Sequence, residues 1–375
     1  MMRKICVVTT TRAEYGTLSN LIQKIDDDKE LQLQLLVSGT HLSKKFGYTV
    51  DEIKSPILRK IDIEIEVSPE HATSLAIEKF SKVFAEIKPD LIVLLGDRYE
   101  ILGVAIAAML KKIPIVHIHG GENTYGTIDE AIRHSITKMS HIHFTSCEQY
   151  RQRVIQLGEY PDKVFNVGSL AVESINLSKL IEKEKLNVRL WDKNLLITYH
   201  PVAYADENVD ELLRALENFT DINLIFTMPG AERGSDDVCK KITEFVSKHE
   251  NAAFYESLGH LRYLSTMRYV NGVVGNSSSG ILEAPSFNIG TVNIGCRQDG
   301  RVRASSIIDC PCMSKDIICA IKELYRRDFS NTKNPYDKKN TSDNIIQVIK
   351  KIELTDILKK RFFIINKSNV GDLFS

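Results

Sequence analysis

The run Leu91-Ile92-Val93-Leu94-Leu95 contains no polar residue. A strand with one solvated face alternates apolar and polar side chains. An unbroken apolar strand is buried on both faces, as in a parallel sheet covered by helices. The rest of the chain repeats that theme. Strands are expected at Lys4–Thr9, Leu31–Val37, Leu91–Leu95, Ile113–His117, Ile142–Thr145 and Val164–Val167, with helices such as Leu18–Ile25, Ala72–Ile87 and Ile101–Leu110 between them. A polar, Lys/Glu-rich stretch at Ser178–Arg189 reads as a domain link. A second series follows at Leu195–Tyr199, Leu224–Thr227, Ala252–Tyr255, Gly272–Gly275 and Thr291–Ile294. A length of 375 residues exceeds one ordinary core. The alternation therefore predicts an α/β protein of two doubly wound, Rossmann-type domains facing across a cleft, residues 1–177 and 190–342. Residues 343–375 are expected to form a late amphipathic helix, Asp343–Ile352, that joins the first domain, and then a tail with no assigned element.

Charge narrows the class of partner. Lysine plus arginine number 49 and aspartate plus glutamate 49, so no net field draws the chain to nucleic acid or to a membrane. Any anion has to be bound locally. The apolar stretch after Met1-Met2-Arg3-Lys4 is too short for a secretion signal, and no run approaches membrane-spanning length. The seven cysteines are scattered; Cys310 and Cys312 are close but lack a second Cys or His pair, which argues against zinc. A reducing cytoplasm is the expected compartment.

Local anion-binding groups do occur, at strand ends. Gly275-Asn276-Ser277-Ser278-Ser279-Gly280 follows the largely apolar run Tyr269–Val274 and precedes Ile281-Leu282-Glu283-Ala284, a strand, a turn and a helix start. Hydroxyls and unpaired helix-start N–H groups there suit a phosphate or pyrophosphate, although a serine-rich turn with a satisfied cap has the same string. Two more strands run into loops that carry arginine, Arg12-Ala13-Glu14-Tyr15-Gly16 and Gly96-Asp97-Arg98. Ligands of open α/β sheets sit at such strand ends. A nucleoside diphosphate is the expected ligand.

Acid–base groups cluster in the same half of the chain. His117-Ile118-His119-Gly120-Gly121-Glu122 closes one strand, and Asp129-Glu130 opens a helix running to about Met139, with Arg133 one turn beyond Asp129. Alone, Asp129 would read as a cap with an ion pair to Arg133, and Asp97 as a cap for the helix starting near Glu100. Together Asp97, Glu122 and Asp129 make three carboxylates at one sheet edge, which can raise one another's pKa and divide acid and base roles. The histidines and Glu122 fit general acid–base work better than a metal, because no second ligand pair appears at helical spacing. The second half adds His200, at the end of its first strand.

In order along the chain, the strings Thr10–Gly16, Ser38-Gly39-Thr40-His41-Leu42 with Phe46-Gly47, Gly96–Glu100, His117–Glu122, Asp129–His134, His200-Pro201-Val202, Gly275–Glu283 and Asn293–Arg301 resemble the hydrolysing UDP-N-acetylglucosamine 2-epimerases of sialic-acid biosynthesis. The resemblance runs from about residue 5 to 303. It implies a GT-B-like fold, with the active site in the cleft between the domains. UDP would be held by Ser277, Ser278, Glu283, Arg297 and His200, with backbone near Leu258 close to the uracil and Arg12 and Arg98 added by the first domain. The family reaction eliminates UDP and the C2 proton, leaving a 2-acetamidoglucal that water converts to free N-acetylmannosamine. Asp97, Glu122 and Asp129 are the carboxylates the resemblance offers for those transfers, with His119 and Arg133 beside them and His200 at the leaving diphosphate. No metal or cofactor is implied, since arginines and helix termini can stabilise the leaving group. A homodimer or homotetramer is implied, as is a bacterial, single-function chain without the kinase domain fused in the animal enzyme. Three positions depart from the family pattern: His119, where some members carry glutamate; Gly230, where asparagine is frequent; and Gly16, where animal enzymes carry serine. The division of labour between His119 and Glu122 stays open. So does the substrate, since a 2,4-diacetamido-trideoxy nucleotide sugar would use the same groups and a non-hydrolysing relative would share the fold.

Overall fold

The structure, a computed structural model, describes residues 2–125, 128–202, 207–229 and 234–365. Gly230 lies outside the described residues. The chain divides into two compact units. Of the described residues, unit 1 takes those up to Glu122, Ile128–Ser174 and those from Lys338 onward; unit 2 takes Asn123–Tyr125 and Ile175–Asp337.

Unit 1 runs β1 (Arg3–Thr9), α1 (Arg12–Asp27), β2 (Leu31–Ser38), β3 (Ile57–Ile61), α2 (Pro69–Ile87), β4 (Leu91–Leu95), α3 (Tyr99–Leu110), β5 (Ile115–Ile118), α4 (Ile128–Met139), β6 (Ile142–Thr145), α5 (Glu148–Gln156) and β7 (Val164–Asn166). Its seven strands are all parallel, in the order β3-β2-β1-β4-β5-β6-β7. Every residue of β4 is buried, as its apolar sequence requires. Sequence order reverses between β1 and β4, and it is there that the carboxyl ends of a doubly wound sheet open a crevice.

The chain passes through α6 (Leu170–Leu177) into unit 2, which runs β8 (Asn194–Thr198), α7 (Val209–Leu216), β9 (Asn223–Thr227), α8 (Ser235–Lys248), β10 (Ala252–Tyr255), α9 (Gly259–Met267), β11 (Gly272–Gly275), the one-turn α10 (Ser278–Leu282), β12 (Gly290–Ile294), β13 (Ile307–Cys310) and α11 (Ser314–Leu324). Its six parallel strands take the order β10-β9-β8-β11-β12-β13, with the reversal between β8 and β11. Each sheet is covered on both faces by separate apolar clusters. Finally α12 (Thr341–Lys351) lays Ile345, Ile346 and Ile349 against Leu18, Leu21, Ile22 and Ile25 of unit 1. The tail to residue 365 adds no helix or strand; Phe363 N–H bonds Gly158 O at 2.8 Å and Lys360 Nζ bonds Ser140 O at 2.6 Å.

Several elements differ from expectation. The strands β3 and β13 were not anticipated: both are edge strands, and Arg59-Lys60 and Asp309 break their apolar pattern, as edge positions favour. Arg12–Gly16 is no loop but the first turn of α1, because Thr11 caps that helix in a reciprocal capping box with Glu14. The stretch Ser178–Arg189 belongs to unit 2, where Leu180 and Val188 pack on its core and Ile181 N–H bonds Ser265 Oγ at 2.9 Å. Among the described residues no helix is long and apolar enough to cross a membrane.

Candidate active site

In unit 1 the acid–base residues converge through one arginine. Arg133, in the second turn of α4, is 2% exposed and carries its guanidinium inward. It bonds the carboxylate of Asp97 at the end of β4, the Glu122 carbonyl at 2.9 Å and Glu130 at 3.1 Å. Burial alone would lower the Arg133 pKa; Asp97, Glu122 and Glu130 around it outweigh that and hold it above its ordinary value. Asp97 is therefore not a helix cap: Arg98 occupies the cap position of α3, and no side chain bonds there. Glu122 is 4% exposed and accepts a bond from Ser146 Oγ at 3.0 Å, with His119 Nδ1 3.6 Å from the same oxygen. His119 holds a left-handed backbone, φ +66°, uncommon away from glycine, and is fixed there by its N–H bond to Phe144 O at 2.9 Å. Asp129 lies in the first turn of α4, beside Glu130.

The two histidines of the His-x-His string part company. His117 is fully buried, with Nδ1 3.0 Å from Thr137 Oγ1 and Nε2 2.8 Å from Gly96 O, and burial pushes its pKa down to about 3. It is a neutral strut under the site. Among the described residues no three His, Cys, Asp or Glu side chains converge as a metal site.

The two arginines of unit 1 expected at phosphate are both engaged by carboxylates. Arg12 pairs with Glu52 at 3.2 Å, both side chains being exposed, a contact worth little in water. Arg98 bonds Glu100 through Nε and Nη2 at 2.7–3.2 Å.

In unit 2 the groups gather between the ends of β8 and β11, around Asn276. That side chain accepts the His200 N–H at 2.7 Å and donates to His200 O at 2.8 Å. Its own carbonyl receives Gln298 Nε2 at 2.8 Å and Arg297 Nη1 at 3.3 Å. Gly275 before it must be glycine: at φ +137°, a Cβ there would run into the Thr198 backbone. Ser277 accepts the Ser279 N–H at 3.4 Å, so the satisfied cap is present, while Ser278 Oγ makes no hydrogen bond among the described residues. The helix they begin is only five residues long, which leaves N–H groups rather than a strong dipole to face an anion. No protein donor among the described residues reaches the Glu283 carboxylate, and burial pushes its pKa up to about 7. Leu258 is buried at the N-terminus of α9.

Three residues of this set were not singled out in the sequence. Asn276 and Gln298 look like ordinary turn residues; only their burial and the Asn276 carbonyl that Gln298 bonds show their part, and Gln298 Oε1 is a buried acceptor without a donor among the described residues. Tyr263 joins through its hydroxyl, 2.6 Å from Ser279 Oγ, which is 3.2 Å from Ser277 Oγ. Its signal was its place one turn into the helix after Leu258, visible only once that helix is known.

Known proteins resemble this chain in sequence and fold. A family model described as UDP-N-acetylglucosamine 2-epimerase matches residues 23–350. The GDP/UDP-N,N'-diacetylbacillosamine 2-epimerase (hydrolyzing) of Campylobacter jejuni is 42% identical over 344 residues, 87% of this chain and 88% of that protein. The polysialic acid biosynthesis protein P7 of Escherichia coli is 39% identical over 368 residues, 93% of this chain and 94% of that one. A solved structure of the Methanocaldococcus jannaschii UDP-GlcNAc 2-epimerase in complex with UDP-GlcNAc and UDP superposes with a TM-score of 0.79 at 18% identity, covering 92% of this chain and 99% of that one. At that identity the likeness shows the two-domain Rossmann-like, GT-B-like fold.

Proposed function

The chain belongs to the UDP-N-acetylglucosamine 2-epimerase family, and from that premise we propose that it is a hydrolysing 2-epimerase acting on a UDP-linked 2-acetamido sugar. UDP-N-acetylglucosamine plus water would give N-acetylmannosamine plus UDP, an entry step to a nonulosonic acid. The observation that carries the reading is the buried Arg133 that bonds both the Asp97 carboxylate and the Glu122 backbone carbonyl, with His119 3.6 Å from the Glu122 carboxylate.

The chemistry divides as follows. A base takes the proton from sugar C2 while the C1–O bond to UDP breaks, leaving a C1=C2 double bond. Asp97, Glu122 and Asp129 are the available carboxylates, with His119 the alternative at the Glu122 loop. Arg133 holds Asp97 and the Glu122 backbone in place. The diphosphate leaves onto unit 2, where Ser277, Ser278, Arg297 and His200 meet it and Glu283 accepts from ribose hydroxyls near the Leu258 backbone. Arg12 and Arg98 add positive charge. Water then adds its hydroxyl to C1 of the released glucal and a proton returns to C2 on the opposite face, which inverts that centre and gives the reducing sugar.

A second reading replaces the substrate by UDP-2,4-diacetamido-2,4,6-trideoxyglucose, and the 42% identity to the Campylobacter jejuni enzyme favours it. The test is incubation with each nucleotide sugar in deuterated water, followed by NMR. Free sugar with inverted C2 carrying solvent deuterium is expected, and the substrate that turns over separates the two readings. Product still bound to UDP, or product retaining its original C2 hydrogen, would overturn hydrolytic elimination.

A further inference from the structure

Two buried carboxyl groups beside the site take no part in the proton transfers above. Glu100, in the first turn of α3, has a side-chain exposure of 0%, and Glu14, in the first turn of α1, is also buried. An ionised carboxylate in such a place costs several kcal/mol unless it is paired. Glu14 spends one oxygen on its neighbours in sequence, accepting from Thr10 N–H at 2.7 Å, Thr10 Oγ1 at 2.8 Å and Thr11 N–H at 3.3 Å; its other oxygen has no partner among the described residues. Glu100 makes its side-chain bonds to one residue, Arg98, whose Nε lies at 3.1 and 3.2 Å from the two oxygens and whose Nη2 lies at 2.7 Å from one.

That pairing does little for the core. Replacing a buried ion pair by apolar groups is often neutral or stabilising, and the Arg98 side chain is 38% exposed, so it is no core residue. What the pairing does is set direction. The planar guanidinium is gripped by one edge, with the Tyr99 ring 5.6 Å from its centre, at the carboxyl end of β4 next to Asp97. A lysine could not be held in that way, having no planar edge to grip. Burial would lower the Arg98 pKa, and Glu100 followed by Glu14 raises it above the ordinary value, so the group stays charged.

We propose that Glu100 is a positioning residue, which acts on the nucleotide sugar through Arg98 by fixing the direction in which the guanidinium meets the departing diphosphate. The inference rests on the proposed function, in which Arg98 neutralises that diphosphate. It predicts that Glu100→Gln and Arg98→Lys, which keep size or charge but lose the edge-on pair, each lower kcat/KM for the UDP-sugar by about tenfold to a hundredfold, the cost typical of a misplaced positioning group. Arg98→Ala should fall at least as far, and adding Glu100→Gln to it should cost nothing more, since the partner is already gone. The Glu100→Gln/Arg98→Ala double variant also controls for folding, because it leaves neither charge unpaired. Melting curves and UDP release would be measured on all four. Loss in Arg98→Ala with wild-type kinetics in Glu100→Gln would overturn the positioning role. Independent, additive losses would overturn it as well. Wild-type kinetics in Arg98→Ala would instead remove Arg98 from the proposed function, and the two failures are thus distinguished.

Discussion

The side chain of Asn276 brackets the main chain of His200, accepting its N–H at 2.7 Å and donating to its carbonyl at 2.8 Å. Backbone beyond a strand end has no sheet partner, so an amide that supplies both a donor and an acceptor replaces the missing ladder. Asn276 is fully buried, and water has no easy route to replace it.

Asn276→Ala should therefore leave two backbone groups unsatisfied, at about 1–3 kcal/mol each. The expected result is a lower melting temperature and weaker UDP binding by calorimetry, because the His200 backbone is no longer held. Ser278→Ala, which removes a hydroxyl without a partner among the described residues, should weaken UDP binding and leave the melting temperature unchanged. Equal melting losses in the two variants would mean that the serine, too, is structural.

The contrast between those residues shows what the sequence makes legible. Unbroken apolarity reveals β4 and the almost wholly apolar α3, because burial on all sides leaves that mark in composition. An edge strand can lose that mark, and β3, with Arg59 and Lys60 in a five-residue run, is invisible to the same reasoning. Local signals can be present and misread. Thr11-x-x-Glu14 is a capping box that fixes the start of α1, yet the arginine between its ends drew attention to a ligand loop instead. Long-range pairing is beyond reach: nothing near Asp97 announces that Arg133, 36 residues later, will neutralise it, whereas an i, i+4 partner at Asp129 is what spacing suggests. The serines of the Asn276 turn stood out as candidate phosphate-binding hydroxyls by their chemistry. The hub residue before them was not, since its function is a geometry.

Arg133 should be intolerant of change for a related reason. Breaking a buried charge pair by removing one partner costs up to about 3–5 kcal/mol, less here because Asp97 and Glu130 are 25% and 23% exposed. Arg133→Met should lower the melting temperature strongly and abolish turnover. Asp97→Asn keeps shape, and the buried Arg133 retains Glu130 at 3.1 Å and the Glu122 carbonyl at 2.9 Å, so a smaller melting loss is expected together with a rate loss of about 10²–10⁴-fold if Asp97 moves a proton. Paired rate and melting measurements would show whether Asp97 does more than balance the arginine; a melting loss with an unchanged rate would leave it a counter-ion.

Glu283 and Glu14 give a pH dependence with a defined sign. Burial pushes each carboxyl up to about 7, from an ordinary 4.5; for Glu14 the Arg98 charge opposes and Glu100 adds to the rise. A raised folded-state pKa means that the native state holds the proton more tightly than the unfolded chain. The contribution to stability is full below pH 4.5, is lost as pH rises through about 7, and is flat above, with a slope of at most about 1.4 kcal/mol per pH unit for each group. Glu283→Gln should flatten its share of that decline in denaturant titrations. Ribose hydroxyls donate to the ionised carboxylate, so UDP binding at pH 6 should release a proton from Glu283, seen as buffer-dependent heats in calorimetry. Heats that do not depend on the buffer would remove Glu283 from the ribose contact.

At the loop after β5 two groups compete for one proton transfer. Glu122 is buried, with its backbone carbonyl on Arg133 and its Oε1 accepting from Ser146; His119 approaches that oxygen at 3.6 Å, an ion-pair distance rather than a hydrogen bond. Should Glu122 be the base, Glu122→Gln keeps the bond to Ser146 and loses the proton acceptor, and the rate should fall by about 10²–10⁴-fold with UDP binding retained. Ser146→Ala then becomes the sharper probe. A hydroxyl that donates to a carboxylate favours its ionised form, so removing it raises the carboxyl pKa. The acidic limb of the pH–rate profile should move to higher pH in Ser146→Ala, while the rate on the plateau changes little. A histidine base would respond differently, because its neutral form does the work and the Ser146 bond is not made to it. An unmoved acidic limb in Ser146→Ala, with Glu122→Gln near the wild-type rate and His119→Ala inactive, would assign the transfer to His119 and leave Glu122 as the anchor that holds its ring.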